Sequence, residues 1–293
     1  MNQAELLEAL RRSRFAGDVD LLAAVMRPSL RLSPRLVEPA DLPPGASRLA
    51  GAPDLPPGFD WPRFEGRPLD FLCQLALEEA QAAGPMEDLP ASGWLLFFYD
   101  MYDGLKMPWG FDPTHRGRWR VLHCAAESGP LERRARPVEG ATLDPGNFKL
   151  CALELRPEAC LPDALDSLLP LSLDDDDDFD GYLRFLEETE TTIEPFSANN
   201  RLLGHPALVQ GDMREQCQLV ANGVEGGCAE NAADPRVQAL LPGAKDWQLL
   251  LQIDTDEAGP GWDWGLGGKL YFWIRQDDLT AGRFGEVWTI LQT

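Results

Sequence analysis

An internal repeat is the feature that most constrains the fold of this chain. Three short sequence blocks recur in the same order in the two halves, and the first of them shares the pattern R-L-x-G-x-P. The paired blocks are residues 47–53 and 200–206, residues 71–80 and 249–258, and residues 93–97 and 268–272. Their spacings differ, which indicates a diverged duplication and not a solenoid of fixed period. The repeat therefore predicts two related β units that share one core.

Local patterns give the expected elements. Apolar runs bounded by turn residues predict strands. The expected strands are residues 30–32, 69–77, 93–99, 119–124, 204–210, 216–221, 247–253, 269–274 and 286–291. Leucines at helical spacing predict helices between residues 3 and 26, which Pro28 ends because proline cannot continue the hydrogen-bond ladder.

The predicted fold class is α+β, internally duplicated, with two mainly antiparallel β units and an N-terminal helical segment. Residues 1–38 are expected to form the helical segment and a short strand packed on the body. Residues 39–293 are expected to form a single domain, in which repeats at about 47–125 and 200–293 are joined by an acidic insert.

The blocks carry a family resemblance. R-L-x-G-x-P, a strand ending in L-x-Q, an acidic turn, a W-G-x-x-G-x-L-Y-F-W-I hairpin and a final V-W-x-I-L-Q strand resemble the YwqG-like family, the DUF1963 domain. Residues 209–213 (VQGDM) with Cys217 fit the same pattern, so the resemblance runs from about residue 28 to the end. It implies an α+β fold of uncharacterised function, with no catalytic residues to transfer. One departure is Leu266, where the family usually has an aspartate.

The charge balance limits the partners. The formal net charge is −22, which repels nucleic acids and anionic membrane surfaces because these require a basic face. No run of about 18 apolar residues is present, so no membrane span is expected. A basic protein is the expected macromolecular partner, and a monomer is favoured.

The six cysteines are scattered and form no C-x-x-C pair, which is typical of reduced thiols. Together with an N-terminus that lacks the pattern of a secretory signal, this predicts a cytoplasmic protein. No cofactor is predicted, since a zinc site would require closely spaced ligands.

The acidic insert contains the one metal-like motif. Residues 174–194 hold ten acids and one arginine. Within them the EF-hand loop pattern is satisfied, so calcium is a possible ligand. The candidate ligands are Asp176, Asp178, Asp180, Tyr182 and Glu187. The alternative is a solvated acidic helix start, since five consecutive aspartates meet part of this pattern by chance.

Two pairs of polar residues occupy equivalent places in the repeats. Gln74 and Gln252 lie inside otherwise apolar strands, and Arg48 and Arg201 lie in the R-L-x-G-x-P blocks. A buried amide must find hydrogen-bond partners, which favours a structural role for the glutamines. The alternative is a polar floor for a groove between the two units. Each arginine could bind a carboxylate of the fold or an anionic ligand.

The hairpin connection contains Trp262, Asp263 and Trp264, which the first repeat lacks. Because acids surround the two tryptophans, a partly exposed recognition patch is one interpretation, and burial in the core is the other.

Catalytic signatures are absent from the sequence: it contains three histidines and no G-x-S-x-G or H-E-x-x-H motif. The favoured function is therefore a non-enzymatic binding protein directed at a basic protein, for example one of the immunity type. A hydrolase that uses carboxylates between the units, and a calcium-binding protein, are the alternatives.

Overall fold

The computed structural model describes residues 1–84, 86–101, 107–138, 148–190, 198–226 and 233–293. Cys228 and the last residues of the acidic insert lie outside these ranges. The helices are α1 (Gln3–Arg12), α2 (Val19–Val25), α3 (Leu77–Ala83), α4 (Asp176–Glu190), α5 (Arg214–Ala221), α6 (Pro235–Leu240) and α7 (Gln276–Thr280).

The strands follow the chain from β1 to β14. They are β1 (Arg27–Leu36), β2 (Arg48–Leu49), β3 (Asp54–Leu55), β4 (Arg63–Phe64), β5 (Arg67–Pro68), β6 (Asp70–Ala76), β7 (Trp94–Tyr99), β8 (Trp119–Cys124), β9 (Glu132–Arg133), β10 (Cys151–Cys160), β11 (Arg201–Leu202), β12 (Trp247–Asp254), β13 (Lys269–Arg275) and β14 (Trp288–Gln292). The fold is thus a mixture of helices and strands.

One large antiparallel sheet organises the molecule. Its ten strands lie in the order β14-β13-β12-β11-β1-β10-β2-β6-β7-β8. The long strands β1 and β10 pair along their whole length at the centre. The two-residue strand β11 joins β1, and the two-residue strand β2 joins β10. Each flank then continues with three antiparallel strands that are consecutive in sequence apart from short elements between them.

The sheet curves until its two edges approach each other. Trp119 on edge strand β8 lies 4.9 Å, centroid to centroid, from the ring of Trp288 on edge strand β14. The indole Nε1 of Trp119 also donates to the carbonyl of Val287 at 2.9 Å. Inside the curve, Phe97 of one flank meets Phe272 of the other at 5.2 Å. The sheet is therefore nearly closed around one core to which both flanks contribute.

The flanking strands other than β8 are buried because they are apolar on both faces, whereas Arg120 and His123 of β8 are exposed. Every residue of β6 and β14 is buried, as are residues 249–253 of β12 and 270–274 of β13. Such continuous apolar runs are typical of strands that are covered on two sides. The predicted strands at 69–77, 93–99, 119–124, 247–253, 269–274 and 286–291 all correspond to strands of the sheet.

Two predicted strands are wrong. Residues 216–221 belong to helix α5, and residues 204–210 form no strand. A short apolar run does not distinguish a buried strand from a buried helix, and Met213, Cys217 and Val220 pack on the core at helical spacing.

The N-terminal part of the chain contributes to the centre of the molecule. Strand β1 (Arg27–Leu36) is longer than the expected residues 30–32 and is the fifth strand of the sheet. Residues 1–38 therefore supply one of the central strands. Helix α1 begins with a capping box between Asn2 and Glu5, and Phe15 after it packs edge-on against Tyr182 of α4. These helices form a second, smaller apolar cluster beside the sheet. In the described part of the chain, no helix has the length and apolar character needed to cross a membrane.

Candidate functional site

Gln74 and Gln252 make the same pair of hydrogen bonds to the backbone of two different segments. Gln74 Oε1 accepts a hydrogen bond from the Asp54 amide at 2.9 Å, and its Nε2 donates to the Ala46 carbonyl at 3.1 Å. Gln252 does the same with the Ala207 amide at 2.9 Å and the Asn199 carbonyl at 2.5 Å. Both side chains are fully buried. They secure the fold and do not form the floor of an accessible groove.

The two arginines are engaged inside the protein. Arg48 pairs with the buried carboxylate of Asp54, and Arg201 pairs with Glu158 at 3.0 Å. Each also donates Nη1 to the backbone carbonyl four residues ahead, in Arg201 to His205 at 2.7 Å. Since Arg48 and Arg201 are 0% and 1% exposed, they are not available to an anionic ligand.

The hairpin tryptophans form no exposed patch. Trp262 and Trp264 are each 1% exposed, and both indole nitrogens donate to the carbonyl of Asp254, at 3.2 and 3.1 Å. Asp263 is exposed and accepts a hydrogen bond from the Gly265 amide. The interpretation of Trp262, Asp263 and Trp264 as a joint recognition patch is therefore wrong for the tryptophans, because the core between the flanks requires their apolar area.

A buried ionic cluster, which the sequence did not indicate, joins distant segments. Arg214 at the start of α5 donates to Asp166 at 2.7 Å and to Asp212 at 2.8 Å. His205 Nδ1 lies 3.6 Å from the other oxygen of Asp166, and its Nε2 lies 2.7 Å from the Val25 carbonyl. Burial opposes the charge of Asp166, but His205 and Arg214 outweigh it and lower its pKa to about 2. No feature of the sequence indicated this cluster, because its members lie in separate segments of the chain.

Acid is expected to destabilise the protein through His205. Burial lowers the pKa of this imidazole below 6.5, and Asp166 only partly compensates. The folded state therefore favours neutral His205, whereas the unfolded state takes up a proton below pH 6.5. This contribution to stability is complete above pH 6.5 and is lost as the pH falls through the lowered pKa, at up to about 1.4 kcal/mol per pH unit.

The measurement is urea unfolding from pH 7.5 to 4.5. His205→Gln is expected to flatten the curve below pH 6.5. The matched control is His115→Gln. Burial also lowers the pKa of His115, but this side chain is only half-buried, so its replacement is expected to change the curve less than that of His205. Equal slopes for the wild type and His205→Gln would contradict the assignment.

The residues predicted to bind calcium lie on a helix. Asp176, Asp178, Asp180, Tyr182 and Glu187 all belong to α4. Alternate residues of a helix point to different sides, so these side chains do not converge as in an EF-hand loop. Tyr182 is buried and donates its hydroxyl to the Pro162 carbonyl at 2.9 Å. The EF-hand interpretation is wrong for this conformation. Among the described residues, no group of three or more histidine, cysteine or acidic side chains is arranged to hold a metal.

Helix α4 instead presents a band of carboxylates to solvent. Tyr182, Phe185 and Thr189 are buried against the small cluster, which fixes the orientation of the helix. The exposed carboxylates opposite them, here called the acidic helix face, are Asp174, Asp175, Asp176, Asp177, Asp180, Glu187 and Glu188. Arg14 ties the helix start to the N-terminal segment, since it contacts Asp177 at 2.9 Å and Asp178 at 2.5 Å.

Carboxyl groups with a raised pKa lie apart from one another. Burial raises the pKa of Asp70 at the start of β6 and of Asp254 at the end of β12. Each has its own cation, Arg136 at 2.9 Å from Asp70 and Lys269 at 3.9 Å from Asp254. They lie in strands of opposite flanks of the sheet. The nearby Asp100 also raises the pKa of Asp70, and Asp100 is itself paired with Arg67 and Arg118.

Comparison with known proteins gives a family and no function. The model of a domain of unknown function, DUF1963, matches residues 47–293. No protein with a curated description matches the chain. The matched region contains both flanks of the sheet, the central strand β10 and helix α4. The chain belongs to the DUF1963 family.

Proposed function

We propose that this protein is a non-enzymatic binding protein that engages a basic protein through the acidic helix face, in the manner of an immunity protein that neutralises a toxin. The observation that carries the proposal is the opposite placement of the two kinds of charge. Eight arginines are turned inward onto buried carboxylates, while the carboxylates of the acidic helix face are exposed to solvent, with Arg14 beside Asp177 at the helix start.

The inward pairs use a large share of the cations. In the described ranges, eight arginines that are at most 27% exposed share six carboxylates that are at most 15% exposed. The arginines are Arg31, Arg48, Arg67, Arg118, Arg133, Arg136, Arg201 and Arg214. Because these eight arginines outnumber their six carboxylate partners, the remaining side chains together carry more negative charge than the formal net charge of −22. A surface of one sign steers an oppositely charged partner and raises the association rate.

The hydrolase alternative lacks an assembled site in the described residues. A carboxylate pair needs two acids close together with separated pKa values. Asp70 and Asp254, the carboxyls whose pKa burial raises, each face a cation of their own and lie in different flanks. We therefore favour binding over hydrolysis.

We propose a monomeric protein in the cytoplasm. Cys73, Cys124, Cys151, Cys160 and Cys217, the cysteines within the described ranges, are all free and buried. Reduced thiols are typical of that compartment. An oxidised form that retains a disulfide after purification without reductant would contradict this location.

The binding test uses a poly-arginine peptide as the probe and isothermal titration calorimetry as the measurement. The variant combines Asp174→Asn, Asp176→Asn, Asp180→Asn and Glu188→Gln, all of which are exposed. We expect the affinity for the peptide to fall roughly tenfold or more at low salt, and the difference from the wild type to shrink at high salt.

The matched control removes the same charge elsewhere. It combines Glu87→Gln, Glu127→Gln, Glu215→Gln and Asp277→Asn, which are exposed and lie outside α4. The control is expected to lose much less affinity. Equal losses in both variants would show attraction to net charge alone and would contradict the acidic helix face as the binding surface.

We also propose that the two flanks are diverged copies that include β1 and β10. Arg48 pairs with Gln74 across β2 and β6, as Arg201 pairs with Gln252 across β11 and β12. The strand β1 precedes the first flank in sequence but pairs with the second, and β10 does the reverse. This arrangement supports two repeats that have exchanged their first strands.

Removing either glutamine is expected to have a similar effect on stability. Gln74→Leu removes a partner of the buried Asp54 amide, and Gln252→Leu removes a partner of the part-buried Ala207 amide and Asn199 carbonyl. An orphaned buried group costs about 1–3 kcal/mol. Urea denaturation measures the loss, with the exposed Gln3→Leu as the control. A large loss for one glutamine and none for the other would contradict equivalent roles.

A further inference from the structure

An open depression lies where β1 ends and β10 begins. Its volume is about 660 Å³, within the range of small-ligand sites. Its floor is the junction of the two strands, where the Val37 amide donates to the Leu150 carbonyl at 3.2 Å. This depression is separate from the acidic helix face, so a ligand bound in it is independent of the function proposed for that face.

The first wall is held by the internal ion pairs. Arg133 donates to the carbonyls of Pro39 at 2.6 Å and Leu42 at 2.9 Å. Its Nε also donates to Asp54 at 2.9 Å, and Asp54 pairs with Arg48. The buried carboxylate thus fixes the position of the segment that lines the depression.

The opposite wall is held by the hairpin connection between β12 and β13. The ring of Phe148 lies 6.0 Å from that of Trp262, and the Lys149 amide donates to the Pro260 carbonyl at 2.8 Å. Both walls therefore rest on buried residues, so a ligand would meet a preformed shape with little ordering cost.

Apolar side chains supply about half of the interior surface. Leu36 is a large strand side chain that is 49% exposed, and it faces this depression with Val37, Leu42, Phe148 and Leu150. Gly51 lines the same surface, and a Cβ there would lie 2.9 Å from the side chain of Leu150. A half-exposed leucine inside a concave apolar surface has area to bury against a ligand.

Charged side chains of both signs surround the apolar surface. Arg35 and Lys149 are exposed cations, and Glu38 and Asp41 are exposed acids. Within the described ranges, none of these four side chains makes a hydrogen bond or an ion pair, in contrast to the arginines that are paired inside the protein. Arg35 and Glu38 are three residues apart in extended chain, which places their backbones about 10 Å apart.

We propose that this depression binds a short peptide with free termini and apolar side chains. The terminal carboxylate pairs with Arg35 and Lys149, the terminal ammonium group pairs with Glu38 or Asp41, and the side chains cover Leu36. Charge complementarity selects a zwitterion, since a simple anion would be repelled by the two acids and a simple cation by the two bases. An extended tripeptide spans about 10 Å, which equals the separation of the Arg35 and Glu38 backbones.

The test is calorimetric titration of the full chain with the tripeptide Leu-Ala-Leu, its N-acetylated form and its C-terminally amidated form. We expect saturable binding of the free peptide and at least tenfold weaker binding of each blocked form. Absence of saturable binding by the free peptide, or equal binding of the three peptides, would overturn the proposal.

Variants locate the site. Arg35→Gln is expected to weaken the free and N-acetylated peptides but not the amidated one, which already lacks the carboxylate. Glu38→Gln is expected to weaken the free and amidated peptides but not the N-acetylated one, and Leu36→Ser to weaken all three. The control is Arg120→Gln, an exposed arginine on β8. Since all four residues are exposed, folding is checked by thermal melting, and unchanged affinity in Arg35→Gln and Leu36→Ser would exclude this depression.

Discussion

Replacing Arg214 with methionine is expected to lower the free energy of unfolding by about 3–5 kcal/mol. The side chain is 2% exposed and donates to Asp166, Asp212 and the Trp247 carbonyl, and its guanidinium lies over the ring of Trp273 at 5.2 Å. Its loss leaves the fully buried carboxylate of Asp166 with His205 as its remaining neighbour in the cluster. Urea denaturation at pH 7.5 measures the change.

Two further variants separate the charge effect from packing. Arg11→Met removes an exposed pair with Glu8 and is expected to cost at most about 1 kcal/mol. Adding Asp166→Leu to Arg214→Met removes the stranded charge, so it is expected to recover part of the loss. A double variant that is less stable than Arg214→Met would contradict a stranded carboxylate as the cause.

Trp264→Ala is expected to lower the free energy of unfolding by about 3–5 kcal/mol, the range for truncating a buried tryptophan. The ring is 1% exposed and meets Tyr99 of the other flank edge-on at 6.1 Å. The nearby Leu266 is 98% exposed, so Leu266→Ala is the matched control and is expected to change stability by less than about 0.5 kcal/mol. A loss below about 1 kcal/mol in Trp264→Ala would indicate that the connection is not part of the core.

The flanking strands were predictable because they are apolar on both faces. Strand β8 was predicted with its observed bounds, and β6, β7, β12, β13 and β14 within two residues of theirs. Except in β8, where Arg120 and His123 are exposed, their sequences leave no polar face for solvent, so an interior strand was the natural interpretation.

The central strands were not predictable in the same way. Strand β10 contains Glu154, Arg156 and Glu158, and most of its residues contact solvent to some degree. Strand β1 contains Pro28 and Pro34, residues that normally indicate an edge. Both strands are long because they pair with each other along ten residues, a contact between distant parts of the sequence.

The roles of the candidate site residues were likewise only partly predictable from the sequence. Equivalent positions in the proposed repeat singled out Arg48, Gln74, Arg201 and Gln252, and burial assigns them to the scaffold. The partners that decide their roles, such as Glu158 for Arg201, come from other segments. Likewise, five aspartates in sequence meet part of the calcium-loop pattern but favour a helix start, and Tyr182 and Phe185 of that helix pack in the small apolar cluster.

Hydrogen–deuterium exchange of the intact protein, with and without a poly-arginine peptide, tests the binding proposal most directly. A ligand on the acidic helix face is expected to slow amide exchange in residues 174–190 and in the adjoining α1, which Arg14 and Phe15 connect to α4. The high-salt sample is expected to lose this protection. Unchanged exchange in residues 174–190, with slowing confined to other parts of the surface, would contradict the acidic helix face as the binding surface.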